Sequence, residues 1–275
     1  MPLQISCFNF NEMKKIDIRF LVLCYICLAI LNSCGKKENP APSGNNTYNG
    51  PKGTLFLHLH NYIDANEVYE YGIPYTNTYD RKIKLTMGQF YLSNFELIKL
   101  DGSTYIVPDS IVLKLQEQET FMVADVPVGN YKGISFHLGL DDKTDKAAPT
   151  LNSLLKRPDM WFGNTAQPNG YIFLNFQGTI DTTSDASASE TEMVPFKYLL
   201  GTQAAYHKIT MPARNYSVSP GLVEYVHLYS DYNQLFHGID LRKKENLTIA
   251  SPADNASAIA TKMIANLDLF FSYEE

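Results

Sequence analysis

From Thr54 to His60 the chain alternates strictly. Leu55, Leu57 and Leu59 fall on one side, and Phe56, His58 and His60 on the other. A period of two over this length predicts a strand with one buried face. Lys82 to Met87 alternates in the same way. Phe90 to Leu100 is a long apolar stretch that stops at Asp101-Gly102, and strand character resumes from Thr104 to Val107, so the pattern predicts a hairpin. Further strands are predicted at Ser110–Leu115, Thr120–Val126, Tyr131–Leu140, Gly170–Gly178, Phe196–Leu200, His207–Met211 and Leu222–Tyr229. The segment 141–169 reads as irregular with a short helix at Leu151–Leu155, and Thr182–Glu192 as a polar loop. Near the end the period changes. Ile259, Met263, Leu267 and Phe270 or Phe271 recur at helical spacing, which predicts an amphipathic helix over Ala256–Phe271. Many short strands separated by turn residues indicate an all-β fold, a β-sandwich of antiparallel strands with a C-terminal amphipathic helix.

The first part of the chain follows other rules. Met13-Lys14-Lys15 and Arg19 are basic, Phe20–Leu31 carries no charge, and Leu31-Asn32-Ser33-Cys34 follows. A basic start, a short apolar core and a small residue before the cut describe a signal peptide over residues 1–33, with Met13 as the expected true start. The run is shorter than the roughly 20 apolar residues of a membrane span. A Cys directly after the cut resembles the lipobox of bacterial lipoproteins, which implies lipidation of Cys34. The lipid would serve as membrane anchor and place the protein in the cell envelope, periplasmic or surface-exposed, with the outer membrane favoured. Residues 34–52, rich in Pro, Gly and Asn, read as the lipidated tether, and 53–275 as the folded domain. The four cysteines are Cys7, Cys24, Cys27 and Cys34, so the mature chain keeps Cys34 alone and needs a core rather than disulfides.

A net charge of −6 without a long basic run disfavours nucleic acid as a partner. The 18 Tyr and 15 Phe suit sheet surfaces and cores. No nucleophile elbow, zinc-protease motif or phosphate loop occurs, and Asp109, Glu117, Glu119 and Asp125 are scattered, so an enzyme is not expected. The best metal candidate is His58 with His60. Two residues apart on a strand, both imidazoles leave the same face about 7 Å apart at Cα. Imidazole suits copper or zinc, and Asp64, His207 or a Met are the candidate third ligands. His137, His207, His227 and His237 are expected to be structural or exposed. Asp141, Asp142 and Asp145 do not match a calcium loop.

Several stretches together resemble one family, the MbnP-like copper-binding domain of bacterial secreted and lipid-anchored proteins. They are Leu59-His60-Asn61, Phe90 to Leu97, Val126 to Tyr131, Ile134 to Asp141, Met160-Trp161-Phe162, Gly170 to Gly178, and Gly201 after Phe196-Lys197-Tyr198. The resemblance implies an extracytoplasmic β-sandwich, copper binding in at least some members, and in some a di-haem peroxidase-like protein as partner. It gives His60 more weight than His58. Leu199 stands where the family often has a His, the sole Trp, Trp161, has an altered register, and Asn164–Asn169 reads as an insertion. The expected function is therefore that of a lipid-anchored binding protein with copper at His60 and His58. The rival readings are a non-metal interaction module that docks an envelope or redox partner, and a glycan-binding surface lipoprotein whose aromatic residues stack on sugars.

Overall fold

The structure, a computed structural model, describes residues 48–150, 153–163 and 170–274. The expected signal peptide, Cys34, most of the expected tether and the expected insertion Asn164–Asn169 lie outside the described residues. In chain order the strands are β1 (Lys52–Ile63), β2 (Asn66–Glu67), β3 (Pro74–Thr76), β4 (Lys82–Lys99), β5 (Thr104–Ile106), β6 (Ile111–Lys114), β7 (Thr120–Pro127) and β8 (Gly129–Leu138). A one-turn helix α1 (Asp142–Asp145) precedes β9 (Ile172–Ile180), β10 (Val194–Gly201), β11 (His207–Thr210), β12 (Tyr216–Val218), β13 (Val223–Asp231) and β14 (Thr248–Ile249). Helix α2 (Ala258–Phe270) then runs directly into β15 (Phe271–Tyr273).

The strands form a sandwich-like all-β fold of two sheets. The smaller sheet has the order β15-β13-β1-β2, with β7 also paired to β1. The larger runs β11-β8-β4-β9-β10-β14 and adds β3, β5 and β6 along β4 and β12 along β8. Most pairs are antiparallel, as the pattern predicts. β1 and β13, however, run parallel, a pairing that hairpins cannot make and that requires the intervening chain to cross over.

The alternating stretch from Lys82 and the long apolar stretch from Phe90 are one 18-residue strand, β4. Register shifts between Leu85 and Met87, between Ser93 and Glu96, and between Ile98 and Lys99 break the period and hide its continuity. The Asp101-Gly102 hairpin is present, with Gly102 at φ 88°, where an L side chain is strained. Gly178 is required for a different reason. A Cβ there would meet the Lys84 carbonyl oxygen at 2.2 Å across the β4–β9 pair. The described part of the predicted Leu151–Leu155 helix is a turn, followed by a 3₁₀ turn at Pro158–Met160.

β1 alternates as expected. Leu55, Leu57, Leu59 and Ile63 are fully buried between the sheets, and the intervening side chains form the outer face. Helix α2 begins at Ser257, whose hydroxyl accepts from Ala260 N–H, and buries Ala260, Met263, Leu267 and Phe270. Ala260 takes the inward place expected of Ile259, which is only half-buried. Phe270 packs on Phe90 and Tyr232 at centroid separations of 5.5 and 5.4 Å, and Phe271 on Phe136 at 5.2 Å. The helix thus plugs the core with its last turn, which fixes the direction in which β15 leaves it.

Candidate metal centre

The outer face of the smaller sheet carries the candidate chemistry. The parallel register sets His58 opposite His227 and His60 opposite Tyr229. On the other side of β1, Thr120 is opposite His58, and Glu119 is pinned by its carbonyl oxygen, which accepts from Leu59 N–H at 2.8 Å. The tight turn after β1 pairs Tyr62 with Glu67. Three imidazoles and three carboxylates thereby meet on one patch, from residues up to 216 positions apart in sequence, since β15 also delivers Glu274 beside His227.

His58 Nε2 and His60 Nε2 are 2.9 Å apart, with ring centroids at 4.6 Å. The other nitrogen of His60, Nδ1, contacts Glu67 Oε1. A carboxylate can only accept, so Nδ1 of His60 carries its proton and Nε2 presents a lone pair to the patch. This is the carboxylate–imidazole orientation that metal-binding histidines usually have. Glu119 Oε2 lies 3.9 Å from His58 Nε2, and among the described residues His58, His60 and Glu119 form a group of donors able to share one ion. All three are reachable from solvent, with His60 the most enclosed at 16% side-chain exposure.

The electrostatics favour cation capture. Burial, and then the neighbouring His60 and His227, lower the His58 pKa below its ordinary value, so its imidazole is neutral at pH 7 and free to bind metal. Burial alone would raise the Glu67 pKa. Hydrogen bonds from Tyr69 and His60 outweigh it and hold Glu67 ionised. Lys114, on β6, is buried with its Nζ donating to the Gln118 carbonyl at 2.8 Å, and burial pulls its pKa down to about 8.

The donor set fits a divalent ion. The two Nε2 atoms, 2.9 Å apart and hydrogen-bonded, converge with the Glu119 carboxylate, so imidazole nitrogen and carboxylate oxygen would hold the ion. To hold the ion with both Nε2 lone pairs, the proton between them would have to pass to solvent or to Nδ1 of His58.

Several expectations need correction. Asp64 is not a third ligand, because its carboxylate accepts from Thr78 N–H and Asn233 Nδ2. His207 belongs to β11 in the larger sheet, where it pairs with Asp268 at 2.7 Å. The acid that does lie beside the pair is Glu119, which sequence reading left among scattered acids. His227 is exposed, as expected, and its ring centroid lies 5.0 Å from that of His58. Its alternation with Val226 and Leu228 was a signal that it occupies the outer face of a strand, but only the β1–β13 register shows which neighbour it meets. His137, expected to face solvent, is half-buried. Tyr206 stacks on it at 4.4 Å and 10°. Leu199 is buried in a small apolar cluster with Phe162 and Ile172, and Trp161 packs against the core with its Nε1 donating to the Leu155 carbonyl. The aspartates after β8 do not converge: Asp141 caps α1, Asp142 pairs with Lys146, and Asp145 accepts from Tyr171 N–H.

A family model described as MbnP matches residues 52–253. Among solved structures, MbnP from Methylosinus trichosporium is similar with a TM-score of 0.53 at 15% identity, over 78% of this chain and 93% of that one. At that identity the likeness speaks for the fold. No curated protein sequence matches.

Proposed function

The chain belongs to the MbnP family, and from that premise we propose that it is a copper-binding protein which captures one ion between His58 and His60. The observation that carries this reading is the 2.9 Å separation of the two Nε2 atoms, with Glu67 holding the proton of His60 on the far nitrogen. Imidazole nitrogens with carboxylate oxygens suit Cu(II), which also stands at the top of the affinity order for divalent ions. The role is binding rather than turnover. The patch supplies donors around one point but no nucleophile beside a base.

The same reading places the domain outside the cytoplasm on a lipid at Cys34. What supports it is the basic–apolar–small-residue pattern that ends at that cysteine. Copper loading would then occur in the envelope, where the family resemblance makes a di-haem peroxidase-like protein the proposed partner.

The test is equilibrium dialysis of the full chain against Cu(II), followed by metal analysis. One ion per chain is expected for the native protein and a loss of bound copper for His60→Ala and His58→Ala. A native protein that emerges without copper contradicts the proposal.

A further inference from the structure

We infer that Glu274 is a fourth ligand of this centre and that His227 is the residue that aims it, making a two-imidazole, two-carboxylate site selective for the divalent ion. The inference rests on the reading of His58 and His60 given above and adds the ligand set and the oxidation state.

The backbone brings Glu274 there. β15 pairs antiparallel with β13, with Leu228 opposite Tyr273, so the next residue falls opposite His227. Glu274 N–H donates to the His227 carbonyl at 3.2 Å, which fixes its main chain against β13. Its carboxylate then spans two imidazoles. Oε2 lies 3.5 Å from His227 Nδ1, and Oε1 lies 4.0 Å from His60 Nε2, the atom that presents its lone pair to the ion. Glu119 approaches the same nitrogen pair from the β7 side of β1, Glu274 from the β13 side.

To share an ion with the imidazoles, Glu119 and Glu274 would each have to close in from 3.9 and 4.0 Å. A glutamate covers that by a small side-chain rotation. His227 limits which rotation occurs. Nδ1 of His227 lies within ion-pair distance of Oε2, which leaves Oε1 as the oxygen on the His60 side.

Charge and softness decide the ion. Two ligand carboxylates balance a dication, and with Glu67 ionised behind His60 a monocation would leave one more uncompensated negative charge on the half-buried patch than a dication does. Carboxylate oxygen is a hard donor, and Cu(I) is selected by thiolate and thioether. Loss of Glu274 should therefore weaken Cu(II) much more than Cu(I).

The experiment uses the full chain, native and as Glu274→Gln and His227→Ala. Cu(II) affinity is measured by competition with a chromophoric chelator, and Cu(I) affinity by competition with bicinchoninate under ascorbate. The electron paramagnetic resonance spectrum of each Cu(II) form is recorded alongside. Glu274→Gln keeps the shape and removes the charge. It is expected to weaken Cu(II) by roughly 10–100-fold, to shift the copper hyperfine coupling, and to leave Cu(I) unchanged. His227→Ala should move Cu(II) in the same direction by less, with a smaller spectral shift. The inference is overturned if the native protein binds Cu(II) but Glu274→Gln leaves affinity and spectrum as they were. It is also overturned if Glu274→Gln weakens both oxidation states equally. A native protein that binds no copper is a different result, which removes the function proposed above.

Discussion

Lys114 gives the sharpest test of the electrostatics around the patch. It sits on β6 with 1% of its surface exposed, and its ammonium is satisfied by one carbonyl, that of Gln118, and by the face of Phe121 at 6.0 Å. Burial lowers its pKa from 10.5 to about 8. Below pH 8 the amine is charged in both the folded and the unfolded chain, and the shift then costs about 3 kcal/mol at about 1.4 kcal/mol per unit. Lys114→Met removes that cost and keeps the apolar stem. It also leaves the Gln118 carbonyl without its donor, which returns about 1–2 kcal/mol. The net expectation at neutral pH is a gain of about 1–2 kcal/mol, or roughly 3–6 °C in Tm for a domain of this size. The gain must depend on pH. The native residue's penalty fades as pH rises from 8, where the folded form loses its proton, to 10.5, where the unfolded form does too. The variant's advantage should therefore be fullest below pH 8 and shrink through that window. Thermal unfolding of both proteins at a series of pH values measures it. A destabilised variant, or a gain that stays constant across the window, would refute the reasoning.

Other outcomes follow from particular contacts. Glu67→Gln removes the acceptor that orients His60 and should weaken copper binding by roughly 10–100-fold while leaving the fold intact, as read by chelator competition and circular dichroism. Phe270→Ala opens a cavity where α2 meets Phe90, Tyr232 and Phe271 and should cost about 3–5 kcal/mol by denaturant unfolding.

The sequence made some of this legible. The two-residue period from Leu55 to His60 set both the buried face of β1 and the common side of His58 and His60, because a strand's side-chain geometry is local. Period alone also located α2, although it chose Ile259 where Ala260 turns inward. What stayed hidden was non-local. Glu119, His227 and Glu274 reach the patch through strand order, and a parallel β1–β13 pair leaves no mark on either strand's own pattern. β4 read as two strands because its register shifts reverse which residues face inward. Lys114, between Leu113 and Leu115, reads as the exposed position of a half-buried strand, yet β6 buries it together with Val112 and Leu113.

The most direct measurement is the position of the ion itself. Crystals of the Cu(II)-loaded protein, with diffraction data collected above and below the copper absorption edge, should show one anomalous peak about 2 Å from both His58 Nε2 and His60 Nε2. A peak bound elsewhere on the domain, with the two imidazoles still joined to each other, would contradict the account.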